Sequence, residues 1–163
     1  MSGTMPGNRR EPVTGVVIAL ATAALAALSL GGCMTRAGDT PAIQLATAYV
    51  PLPQAPHTTV AYVVIRNNGG ADRLTGASTS AGGRVRFQVT YGPGARLTRT
   101  VKAIQIPAHS TVKMVPDGPH LLISGIGPVR GGKDITLTLV FARAGRVSVP
   151  APVIDPGSGG SYF

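Results

Sequence analysis

The side chains in this chain that could coordinate a metal or attack an electrophile are few: three His, four Met and one Cys among 163 residues. The histidines are His57, His109 and His120, and no two stand at the His-x-His or His-x-x-x-His spacing that presents a pair of imidazoles to one ion. His109 lies in Pro107-Ala108-His109-Ser110, a turn that faces it to solvent. His57 follows Pro56 just ahead of an apolar run, a place for a structural imidazole, and His120 opens another apolar run after Gly118-Pro119. Acid–base catalysis asks for paired carboxylates or for a histidine oriented by one. Here Glu11 is the only glutamate, and four of the five aspartates have a local explanation: Asp72 and Asp117 in or beside turns, Asp134 opening a strand, Asp155 in the tail. Ser78, Ser80, Ser110, Ser124 and Ser148 stand in no Gly-x-Ser-x-Gly context. The residues therefore predict a protein that is not an enzyme.

The single cysteine has a more telling position. Cys33 closes Leu30-Gly31-Gly32-Cys33, after an uncharged run over 16–30 that follows Arg9-Arg10. A basic start, an apolar middle and a small-residue end form the pattern of a secretory signal. Fifteen helical residues reach about 22 Å, short of a hydrocarbon core of about 30 Å, so the run is a poor permanent span. Leu-Gly-Gly-Cys resembles the lipobox of bacterial lipoproteins, which implies that the Cys33 thiol is acylated and that the signal is cut before it. An ordinary cleaved signal is the plain alternative, but it requires no thiol there. On this reading residues 1–32 are a lipoprotein signal peptide, 33–44 the lipidated N-terminus and tether, 45–154 one domain and 155–163 a flexible tail. The expected place is the extracytoplasmic face of a cell membrane, held by lipid at Cys33. Removal of Arg9, Arg10 and Glu11 leaves 13 Lys+Arg against 5 Asp, a net charge of +8. A basic body beside an anionic membrane is attracted to it, although scattered solvated charge explains the same count. No basic run alternates with aromatics, so nucleic acid is not an expected partner.

The elements that must position these residues read as short strands. Residues 58–66 (TTVAYVVIR) are rich in β-branched types and stop at the turn signal Asn67-Asn68-Gly69-Gly70. Over 84–90, Val85, Phe87 and Val89 alternate with Arg84, Arg86, Gln88 and Thr90, which predicts a half-buried strand. Tyr91-Gly92-Pro93-Gly94 turns the chain, and 97–106 reads as the returning strand. Further strands are expected over 111–115, 120–126, 134–143, 146–149 and 152–154, the run 134–143 (DITLTLVFAR) placing Ile135, Leu137, Leu139 and Phe141 inward. Glycine and proline recur too often for helices. The expectation is an all-β antiparallel sandwich or barrel, preceded by a signal-peptide helix.

Several ordered blocks then resemble one family. Ala61-Tyr62-Val63-Val64-Ile65-Arg66-Asn67-Asn68-Gly69 is similar to the AYxxIxNxG opening of the PCu(A)C-type periplasmic copper chaperones, and Asp72-Arg73-Leu74-Thr75-Gly76-Ala77-Ser78 follows suit. Ile104-Gln105-Ile106-Pro107-Ala108, Thr111-Val112-Lys113-Met114 with Pro116-Asp117-Gly118-Pro119-His120, and Ile135-Thr136-Leu137-Thr138-Leu139-Val140-Phe141 resemble later blocks of that family. The resemblance implies a cupredoxin-like fold and an exposed Cu(I) site of pattern His-x10-Met-x21-His-x-Met. Thioether and imidazole suit Cu(I) because they are soft to intermediate ligands. This chain departs from the pattern at three of its four positions: Gln88 stands for the first histidine, Thr98 for the first methionine, Leu122 for the last, and only His120 is retained. A copper site would have to be rearranged, with His57 or Met114 joining His120, although Met114 matches an apolar core position of the family. Arg84 and Arg86 share the outward face with Gln88, and Arg96 and Arg99 bracket Thr98, so a cationic rim is expected. Two functions follow. One is a lipid-anchored copper-chaperone-like protein that binds copper weakly and passes it to a receiving protein. The other is a non-metal envelope lipoprotein whose basic face holds an anionic lipid, glycan or protein.

Overall fold

The structure, a computed structural model, describes residues 1–3 and 40–155. Cys33, the expected signal peptide and most of the expected tail lie outside the described residues. The chain parts into two units, Met1–Cys33 and Met34–Phe163, and all described strands belong to the second.

The ten strands are β1 (Ile43–Pro51), β2 (Thr58–Asn67), β3 (Asp72–Thr79), β4 (Arg84–Tyr91), β5 (Leu97–Val101), β6 (Ile104–Ile106), β7 (Ser110–Lys113), β8 (Pro119–Ser124), β9 (Asp134–Phe141) and β10 (Gly145–Ile154). They join in the order β5-β4-β8-β2-β1-β10-β9-β3-β6, with β7 pairing β2 beyond the end of β8. All neighbours are antiparallel except β1 and β10, which run parallel through Val50↔Val153 and Pro51↔Ile154. The sheet curls on itself as a nearly closed, cupredoxin-like β barrel. The period of two decides which side chains are inside. On β9, Ile135, Leu137, Leu139 and Phe141 are buried as expected, and on β4 Phe87 is buried while Arg84 and Arg86 are exposed. Each such fully buried aliphatic side chain contributes about 1.5–3 kcal/mol.

Three differences from the strand expectations have physical reasons. The folded part begins before residue 45: β1 starts at Ile43, the Ala42 N–H donates to Asn67 Oδ1, and the Gly70 N–H donates to the Thr40 carbonyl. Residues 97–106 form two strands, not one. The chain bends at Lys102-Ala103 so that β6 leaves β4 and pairs with β3 (Leu74↔Ile104), which buries Ile104 and Ile106. Residues 145–154 are one strand in spite of Pro150 and Pro152. β10 meets β1 only at Val153–Ile154, and Val153 donates its N–H toward the β9 side, so the proline nitrogens fall on the side that needs no donor there.

Candidate functional site

Gln88, Thr98, His120 and Leu122 lie on one face of β5-β4-β8. Gln88 is directly opposite His120, and Arg86 is opposite Leu122. On the other side of β4, Gln88 faces Thr100 and Thr90 faces Thr98, whose Oγ1 atoms are 3.1 Å apart. Directly opposed Cβ atoms are about 4.5–5.5 Å apart, and residues two apart on a strand about 6.6 Å. Positions 88 and 122 therefore lie beside His120, while Thr98 lies on the same face two strands away. The inward-facing partners on the same strands, Phe87, Leu121 and Ile123, are buried and hold the face in place.

His120 is anchored by the loop that precedes it. Its Nδ1 lies 3.0 Å from the Gly118 carbonyl oxygen. A carbonyl only accepts, so Nδ1 is the donor of this bond, and in a neutral ring Nε2 would be the nitrogen able to bind an ion. His120 is 7% exposed, and its ring centroid is 6.3 Å from that of Tyr62. Tyr62 in turn is opposite Tyr49 on β1, at 5.1 Å between centroids. One transverse row thus runs Thr100, Gln88, His120, Tyr62, Tyr49.

The rest of the row holds no second soft donor. Gln88 and the threonines offer neutral oxygens, and Leu122 offers only carbon, which lines an apolar cleft of about 230 Å³ with Pro51, Leu52 and Val60. Among the described residues no group of three or more His, Cys, Asp and Glu could hold a metal ion. The residues present do not fit a chelated Cu(I).

The rearranged site does not form either. His57 adjoins Thr58, which pairs with Ser124 at the far end of β8, about 16 Å from His120 at about 3.3 Å per residue. Its Nδ1 lies 3.2 Å from the Ile126 carbonyl, and its own carbonyl accepts from the Gly125 and Ile126 N–H groups, so it staples that loop. Met114 is 0% exposed in the hydrophobic core, opposite Val63, and turns away from the site face. His109 is exposed in its turn. The cationic rim is also thinner than expected. Thr98 and Arg99 are consecutive and point to opposite faces, and the Arg99 guanidinium lies 5.6 Å from the centroid of the Tyr91 ring. Arg84 and Arg86 do share the face of Gln88. Tyr49 and Thr100 were not singled out in the sequence, because only strand register shows that they flank it.

Burial shapes the tyrosines of this row. Desolvation, and then the charge of Tyr62, push the Tyr49 phenol up to about 12; desolvation, and then Asp117, raise Tyr62. An unfolded tyrosine ionises near pH 10. Above that pH the unfolded chain has lost these protons while the native state retains them. Stability is therefore complete below about pH 10 and falls as pH rises toward 12. The denaturant midpoint measured at successive pH values is expected to drop across this interval, and Tyr49→Phe should flatten the drop; an equal slope in the variant would contradict it.

Two motifs that accompany the site are structural. Asn67 is 1% exposed: its Oδ1 accepts from the Ala42 and Gly69 N–H groups, and its Nδ2 donates to the Gly70 and Pro107 carbonyls. At Gly69 a Cβ would collide with the Thr40 carbonyl oxygen and sit 2.8 Å from the Ala42 nitrogen, so only glycine fits. Asp72, 5% exposed, accepts from the Arg73, Arg143 and Ala144 N–H groups and ties β3 to the β9–β10 turn.

The strand order defines the class: a PCuAC-type, cupredoxin-like domain. Solved structures agree. The chain is similar to the copper-bound PCuAC domain from PmoF2, at 27% identity and a TM-score of 0.60 over 70% of this chain and 93% of that one. It is similar to the solution structure of CuI-DR1885 from Deinococcus radiodurans at 25% identity and a TM-score of 0.57, over 75% and 83% of the two chains. The chain belongs to the LpqE-like lipoprotein family, described as "Putative lipoprotein LpqE-like", which matches residues 43–153. A relative, "Putative lipoprotein Lxx21020" of Leifsonia xyli subsp. xyli, is 30% identical over 146 residues, 82% of this chain and 87% of that protein.

Proposed function

We propose that this protein is a lipid-anchored, extracytoplasmic, non-catalytic binding protein on the copper-chaperone fold, in which the soft-donor site is reduced to one imidazole. Lipid at Cys33 anchors it. Copper, as cargo, meets only Nε2 of His120 and exchanges freely, so any delivery to a receiving protein is of weakly held ion. The observation that supports this reading is the register Gln88↔His120 and Arg86↔Leu122, which keeps positions 88 and 122 beside His120 while neither carries a soft donor. The likeness to the copper-bound PCuAC domain from PmoF2 and to CuI-DR1885 supports the ancestry of the site.

Competition with a Cu(I) chelator tests it. Wild type and His120→Ala are both expected to leave the ion with the chelator at sub-micromolar free copper. Retention by wild type that His120→Ala abolishes would sink the reading. A second reading, a module that holds an anionic surface, is favoured by charge: five cations over residues 84–102 face no acidic residue in that stretch.

A further inference from the structure

The β4–β5 hairpin combines three features that the copper reading does not use. Its tip is apolar: Tyr91 and Leu97 are cross-strand partners, 47% and 54% exposed, and among the described residues only Met1 joins them as a large hydrophobic side chain so exposed. Gly92 (φ 89°) and Gly94 (φ 67°), flanking Pro93, fold the tight loop between them in the left-handed region that favours glycine. Behind the tip, Arg84, Arg86, Arg96, Arg99 and Lys102 all fall within residues 84–102, a stretch with no Asp or Glu. None of the five has a carboxylate partner among the described residues, and Arg99 is held beside the tip by the Tyr91 ring, 5.6 Å away. Finally, β5 ends the sheet order and is exposed from Leu97 through Thr100, so the whole arm is presented outward.

A single exposed leucine or tyrosine is ordinary on a protein surface. An aromatic and an aliphatic side chain at the point of a hairpin, with uncompensated guanidinium groups one or two residues behind, is a different arrangement. Tyrosine and leucine partition at the boundary between headgroups and acyl chains, and long basic side chains reach back from there to phosphate. A polybasic band gains further attraction from anionic lipid within a Debye length. A protein partner would ask this surface for a larger apolar centre.

The geometry points to membrane docking: the β4–β5 hairpin seats on an anionic phospholipid bilayer, with Tyr91 and Leu97 entering the interface and Arg96, Arg99 and Lys102 facing lipid phosphates. This deepens the anionic-surface reading and rests on the extracytoplasmic, lipid-anchored placement only for which membrane is met. Anchor and hairpin would then make two contacts with one surface, and the second orients the barrel.

The chain contains no tryptophan, so Tyr91→Trp in the full-length protein supplies a single reporter at the tip. The protein is reconstituted with vesicles of phosphatidylcholine alone and of phosphatidylcholine mixed with phosphatidylglycerol, each with and without brominated acyl chains, and vesicle flotation is scored in parallel. Expected are a blue-shifted emission and quenching by bromine in the anionic vesicles only. Both should weaken at high salt, and Arg96→Glu with Arg99→Glu, or Leu97→Ser, should cut the quenching about tenfold. Protein that floats with both vesicle types while Trp emission ignores bromine would overturn the hairpin and leave lipid anchoring standing; the tip would then serve a protein. Protein that floats with neither would overturn both. Quenching that is equal in neutral and anionic vesicles would overturn the role of the arginines.

Discussion

Gln88→His together with Leu122→Met should convert this domain into a tight Cu(I) binder, with affinity rising on the order of 10⁴-fold over wild type. The argument is geometric. Position 88 is directly opposite His120, and position 122 lies two residues along the same strand on the same face. Both new donors would arise within about 7 Å of the existing imidazole, whose Nδ1 is engaged by the Gly118 carbonyl and whose other nitrogen is the one left for an ion. A donor held beside a bound ion acts at high effective concentration, and about 2.8 kcal/mol for each is about a hundredfold. The scaffold should tolerate the change. Both positions are half-buried on the outer side of the sheet, and both swaps nearly conserve volume, which costs less than about 1.5 kcal/mol. Chelator competition by the double variant, and by the same variant with His120→Ala, provides the measurement. A double variant no better than wild type would show that the face is no longer a ligand face.

Asn67→Leu should cost about 4–6 kcal/mol of stability, half or more of what many domains possess. Leucine fills the same volume, so water cannot enter to replace the four lost hydrogen bonds, and the N–H groups of Ala42 and Gly69 and the carbonyls of Gly70 and Pro107 are left without the partner they had. Each such buried group costs about 1–3 kcal/mol. Asn68→Ala is the control: Asn68 is exposed, and its change should stay within about 0.5 kcal/mol. Equilibrium unfolding of the two variants decides the matter, and a loss below about 1 kcal/mol at Asn67 would refute the lock. The block Ile65-Arg66-Asn67-Asn68-Gly69, met first as a copper-family signature, is therefore a clasp between the start of β1, the β2–β3 turn and the β6–β7 turn. Its persistence beside a depleted metal site follows, because the clasp serves the fold and not the ion.

Legibility differed from element to element. β4 and β9 were readable because one face of each packs on the core and the other meets water, which writes a period of two into the residues. β1 and β3 were not named in advance. β1 mixes exposed and buried positions around a register shift between Leu45 and Ala48, and β3 has small polar residues toward solvent. The run 97–106 read as one strand because both halves are extended. Only the partners differ, and a partner strand is remote in sequence. The same limit held at the site: Tyr49 and Thr100 join the row of His120 through registers set on other strands.

What the sequence alone determined is chemical identity. Leucine at 122, threonine at 98 and glutamine at 88 supply no thioether and no second imidazole, wherever the backbone carries them. It also set the inward face of the alternating strands. Only the tertiary structure decided proximity. It placed His57 at the far end of β8 and Met114 in the core, and it stacked Arg99 on Tyr91, on the face opposite Thr98. The reason is that a donor atom is a local, covalent property, whereas distance within a sheet depends on long-range pairing, in which a slip of one residue reverses the face of every side chain.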